Sequence, residues 1–97
     1  MIPSIRRQVL WLSGQDVGRC QACLDCDSVR TPDMDVPLGS LIQMALLNDE
    51  EVFSTRTLWS EEAFQRAGGA CKLGLDLQAV LQALRQLAGA REKAQDG

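Results

Sequence analysis

The sequence contains no histidine, only two Trp and two Phe as aromatic bulk, three prolines, and no long apolar run. Without imidazole there is no histidine for acid–base work, and metal sites that mix cysteine with histidine are excluded. With so few rings, Leu, Val, Ile and Ala must fill the core. No apolar stretch approaches the roughly 20 residues that span a bilayer, so membrane insertion is not expected. Ten basic residues against thirteen acidic ones leave a net charge of −3, which argues against nucleic acid as a partner. The basic pair Arg6-Arg7 precedes a short apolar stretch that Gly14 and Asp16 break. It lacks a small-residue cleavage site and does not read as an export signal. Thiols that are not exported stay reduced. The expected location is therefore the cytoplasm, where cysteine clusters are more often metal sites than disulfides.

What is present is short-helix patterning around a cysteine-rich loop. The 97 residues fit one domain. Its core is expected over about 16–88, preceded by an N-terminal helix within 1–15 and followed by a polar tail over 89–97. A domain of this size buries roughly 60–70% of its unfolded surface, so a metal would add useful stability. Ile5, Val9 and Leu12 share one face of a first helix that Gly14 can end. Residues 16–37 read as loop, with Thr31-Pro32-Asp33 and Val36-Pro37 as breakers. Leu38, Leu41, Ile42, Ala45 and Leu46 repeat at helical spacing up to Leu47, and Asn48-Asp49 either stops that helix or caps a following turn. Ser60 is an N-cap before Glu61 and Glu62, and Gly68-Gly69 ends that short helix. Asp76 caps the clearest helix, striped by Leu77, Val80, Leu81, Leu84, Leu87 and Ala88, after which 89–97 is expected to fray. No segment alternates like a strand. The expected class is all-α.

The four cysteines carry the chemistry. Cys20, Cys23 and Cys26 are spaced C-x₂-C-x₂-C, and Cys71 stands alone far down the chain. A short loop with two-residue gaps can wrap one side of a cubane [4Fe–4S] cluster, with the fourth thiolate coming from a distant segment. The alternatives are a Cys₄ zinc site, two disulfides, or free thiols. Zinc sites of this kind more often use two separated C-x₂-C knuckles, which a three-plus-one split fits poorly. Disulfides within Cys20–Cys26 would close very small, strained loops.

Two-cluster bacterial ferredoxins carry C-x₂-C-x₂-C-x₃-C-P twice, and the fourth cysteine of each motif ligates the other cluster. On that template the fourth position of the first motif is Arg30. Counting back from Cys71, the first three positions of the second motif are Glu61, Phe64 and Ala67. The cysteines present thus form one complete ligand shell, and the positions without cysteine form the other. Arg30 either places a cation beside the cluster or fills space and reaches solvent; Arg19 and Lys72 also adjoin ligand positions. Phe64 and Ala67 are expected in apolar packing, and Glu61 and Glu62 in a solvated first turn. Trp59 is expected in the core, with an electron path or docking surface as the other role considered for it and for Trp11.

The stretch from Arg19 to Ala88 resembles the small ferredoxin-like component of heterodisulfide reductase and its relatives. These are all-helical, alpha-helical ferredoxin-like domains with two clusters, similar in fold to the C-terminal domain of succinate dehydrogenase iron–sulfur proteins. The matching text is Cys20-Gln21-Ala22-Cys23-Leu24-Asp25-Cys26, Leu41-Ile42-Gln43-Met44, Ser54-Thr55-Arg56-Thr57-Leu58-Trp59, Gly74-Leu75-Asp76-Leu77 and Val80-Leu81-Gln82-Ala83-Leu84-Arg85. It covers about two-thirds of the chain. Departures are Arg30, Glu61, Phe64, Ala67, and Lys72 where the family places proline. The resemblance implies residence in a larger redox complex, with a flavoprotein on one side and a cysteine-rich, disulfide-handling subunit on the other. The expectation is a non-catalytic, one-electron carrier holding one [4Fe–4S] cluster on Cys20, Cys23, Cys26 and Cys71. Backbone N–H groups of residues 21–27 would donate to sulfur. Two other classes stay open: a structural or assembly module stapled by a cluster or zinc, and a redox or oxygen sensor with a labile cluster.

Overall fold

The computed structural model describes residues 4–19, 29–71 and 74–96. It is helical, with no strand among the described residues. Among the described residues five helices follow in order: α1 (Ile5–Ser13), α2 (Leu38–Leu46), α3 (Arg56–Trp59), α4 (Glu61–Arg66) and α5 (Leu77–Asp96). Short 3₁₀ turns at Val17–Arg19 and Glu50–Ser54 link them.

Local chemistry explains most of the boundaries. Ser4 accepts from the Arg7 N–H at 3.2 Å to open α1. Gly14, at φ +73°, closes it by donating to the Leu10 carbonyl at 2.8 Å, a conformation only glycine adopts cheaply. Asn48 ends α2 in the left-handed region at φ 59°, and Asp49 then caps the 3₁₀ turn through the Glu51 N–H. Both roles that the sequence allows this pair are thus used. Thr55, Ser60 and Asp76 cap α3, α4 and α5 through the N–H groups of Leu58, Ala63 and Ala79.

The core is one cluster. α5 is the central element and packs against α1, α3, α4 and the Glu50–Ser54 turn, while α2 packs against α1 and α3. Leu77, Val80, Leu81, Leu84, Leu87 and Ala88 all face inward, as the stripe requires. Ile5 and Val9 of α1 are fully buried in the same cluster. Leu12 differs from expectation and is half exposed. It lies about 60° round the helix from Val9, while half-buried Ser13 takes the inner side. α5 also runs on to Asp96 where fraying was expected. Residues 90–95, Ala, Arg, Glu, Lys, Ala and Gln, are strong helix formers, so helicity outlasts the apolar stripe.

The segment leading into α2 is held by polar contacts with α3. Thr57 is fully buried; its hydroxyl donates to the Val36 carbonyl at 2.6 Å and accepts from the Val36 N–H at 3.1 Å. Asp35 accepts from the Arg56 N–H at 3.0 Å and the Thr57 N–H at 3.2 Å. The Arg56 N–H, then that of Thr57, holds the Asp35 carboxyl below its ordinary range. Because the folded value is depressed, the stabilisation is present above the unperturbed 3.8 and is lost as pH falls through the folded value. Asp35→Asn is therefore expected to lower Tm at neutral pH, with the gap from wild type closing as both are acidified. A gap that stays constant across that range would contradict the assignment.

Candidate metal centre

Cys71 stands in the turn between α4 and α5. Gly69, at φ +76°, reverses the chain after α4, and the Gly74 N–H donates to the Cys71 carbonyl at 3.2 Å. Ala67 behind it is fully buried, and Ala70 and Cys71 pack on the core. Cys71 is half-buried and forms no disulfide among the described residues. One side of its environment is thus packed protein.

Cys20, Cys23 and Cys26 lie outside the described residues, as do the N–H groups of 21–27 and Lys72. Among the described residues no three His, Cys, Asp or Glu side chains gather at metal-binding separation. What is visible is where the three-cysteine segment leaves and re-enters the fold. On the entry side, Arg6 of α1 grips Asp16 with two bonds at 2.9 and 3.1 Å, and the Gly18 N–H donates to the same carboxylate at 2.9 Å. The Arg6 guanidinium lies so close over Gly18 that a Cβ there would collide with it. Val17 is fully buried. Gln15 Oε1 accepts from the Asp76 N–H at 3.1 Å, which fastens the entry to the start of α5, just after Cys71.

On the exit side Val29 joins the core, and the Arg30 carbonyl accepts a long bond of 3.5 Å from Arg66 in the last turn of α4, just before Cys71. Arg30 itself is exposed, beside a groove of about 270 Å³ that Met34 and Asp35 also line. Entry and exit are therefore tied to the two elements that flank the Cys71 turn. Four thiolates drawn from these two segments need that convergence, so the visible frame fits a shared site.

The positions that lack cysteine are organised differently. Arg85 of α5 donates to the Leu58 carbonyl at 2.7 Å, to the Ser60 carbonyl at 3.3 Å and to Glu61 at 3.0 Å. Its guanidinium carbon lies 4.9 Å from the Phe64 ring centre and 5.9 Å from that of Trp59. One side chain thus satisfies two carbonyls and touches both Glu61 and Phe64. Phe64 packs partly on the core and Ala67 wholly within it, as expected, while Glu61 and Glu62 are exposed. Trp59 departs from expectation. It is 48% exposed, with its indole N–H donating to the Phe53 carbonyl at 2.9 Å. A ring with one polar edge can satisfy that edge at the surface and need not enter the core.

Gln15 and Arg66 do not stand out in the sequence. Arg85 had a signal, being the cation on the apolar face that Leu81, Leu84 and Ala88 define. Gln15 and Arg66 had none, because a bond to a distant backbone group leaves no periodic trace. No helix among the described residues is long and apolar enough to cross a membrane. Comparison with protein-family models, with curated proteins and with solved structures finds no match to this chain.

Proposed function

We infer that the chain is a one-electron carrier subunit holding a single [4Fe–4S] cluster on Cys20, Cys23, Cys26 and Cys71. The observation that carries the reading is the tethering of both ends of the C-x₂-C-x₂-C segment to the elements on either side of Cys71, Gln15 to Asp76 and Arg66 to Arg30. When bound, the cluster supplies one-electron chemistry, alternating between its 2+ and 1+ states.

The chain's own residues then have defined parts. The four cysteines would bind as thiolates; Val17 and Val29, which flank the triplet in sequence, and Ala67 before Cys71 are buried in the apolar core. Arg30, exposed beside the exit of the loop, contributes a positive charge that favours the more negative, reduced state. The chain has no histidine for acid–base work, and the proposed site uses all four of its cysteines, which supports electron transfer over catalysis. The expected partners are redox proteins: a flavoprotein, a cysteine-rich protein like that of heterodisulfide reductase, or both, in the cytoplasm.

The test is a redox titration of protein purified without oxygen. A carrier bleaches on reduction, gives a paramagnetic reduced state, and recovers its spectrum through repeated cycles. A centre that resists reduction, or is lost on it, would instead make the chain a structural or assembly module.

A further inference from the structure

Most of the large apolar side chains left exposed lie on α1 or on the turn after α2. Leu10 (39%), Trp11 (65%) and Leu12 (50%) lie on α1, and Leu47 (77%) lies on the turn after α2; Trp59 stands apart. That turn abuts α1, because the Ile5 N–H donates to Asn48 Oδ1 at 3.0 Å. Arg7, Leu10 and Trp11 are spaced three and four apart and share the face of α1 turned away from Ile5 and Val9.

Charge differs between the helix and the turn. α1 carries Arg6 and Arg7 and no acid. Arg6 is taken up by Asp16, whereas Arg7 forms no ion pair among the described residues. Arg6, Arg7 and Leu10 border a groove of about 290 Å³. The adjoining turn has the opposite character: Leu47 protrudes, the chain bends sharply at Asn48, and Asp49, Glu50 and Glu51 follow. Glu51 is exposed and forms no ion pair among the described residues. One half offers an apolar stripe with a free cation; the other offers an apolar knob with a free carboxylate.

We propose that this face binds a second copy of the chain. Under a two-fold rotation, Leu47 of one copy packs on Leu10 and Trp11 of the other while Glu51 meets Arg7, and the same contacts repeat in reverse. An anionic membrane is the weaker fit. Recognition of that kind uses clusters of roughly four to eight basic residues, and this stripe has one uncompensated arginine on a chain of net charge −3. The proposal does not depend on what the cysteines bind.

Sedimentation equilibrium on the full chain, purified without oxygen, tests it. The expected result is a monomer–dimer equilibrium with Kd in the micromolar range. Arg7→Glu and Glu51→Arg should each weaken it about tenfold, and the two together should restore most of the affinity. Trp11→Ala should weaken it by about tenfold or more. All three positions are exposed, so the helical circular-dichroism signal should not change. A wild-type chain that stays monomeric throughout overturns the proposal, including one that instead pellets with anionic phospholipid vesicles. A charge swap that fails to restore association overturns it as well.

Discussion

On the proposed ligand set, replacing Cys71 with serine is expected to abolish cluster binding: iron should fall from the proposed four or so atoms per chain to less than about one. The substitution changes one atom at a half-buried position on the core, and the turn around it is held by backbone bonds that serine leaves intact. The fold should therefore survive, with circular dichroism close to wild type, while the site does not. A serine hydroxyl ionises far less readily than a thiol and is a poorer ligand for these irons. The C-x₂-C-x₂-C triplet remains in the variant and isolates the contribution of the fourth ligand. A Cys71→Ser protein that keeps its full iron content and reduces normally would show that the fourth ligand lies elsewhere.

The second large effect is on stability. Leu84 is fully buried on α5, the helix against which α1, α3 and α4 pack. Leu84→Ala removes buried apolar atoms and leaves a cavity that its neighbours fill only in part, at a cost of about 3 kcal/mol. For a domain of this size that lowers Tm by about 15 °C. Because α1 leads into the Gln15 tether and α5 begins at the Asp76 tether, the site should be lost in the same transition. A ligand held only by the folded state raises Tm by mass action, so metal-loaded and metal-free Leu84→Ala should melt well apart. A loss of only a few degrees would place Leu84 outside the cooperative core.

Some of this molecule is legible from its residues, and the reasons differ by element. Ser60 and Asp76 are read correctly because an N-cap is a local interaction with the chain three residues ahead. The α5 stripe is read correctly because burial on one side imposes its own period. The Val17–Arg19 turn and the single-turn α3 pass unnoticed, whereas the turn after Asp49 is foreshadowed by its cap. They are too short to show a period, and contacts distant in sequence, from Asp35 and Val36, hold α3 in place. The placement of Trp59 also eludes the sequence, since an amphipathic ring satisfies its polar edge equally well in a core or at a surface.

The candidate site divides in the same way. The cysteine spacing alone proposes the ligands, and it marks Arg30, Glu61, Phe64 and Ala67 as the places where a second set is missing. What lies around Glu61 and Phe64, the Arg85 guanidinium with its two carbonyls and two rings, is a matter of tertiary contact. So are the tethers at Gln15 and Arg66, which join residues far apart in sequence and belong to no motif.

The most direct measurement is iron, acid-labile sulfide and zinc per chain on protein purified without oxygen, with a visible spectrum before and after dithionite. The account predicts about four iron and four sulfide with a brown absorption that bleaches on reduction. About one zinc, no sulfide and no colour would contradict it and make the four cysteines a structural site.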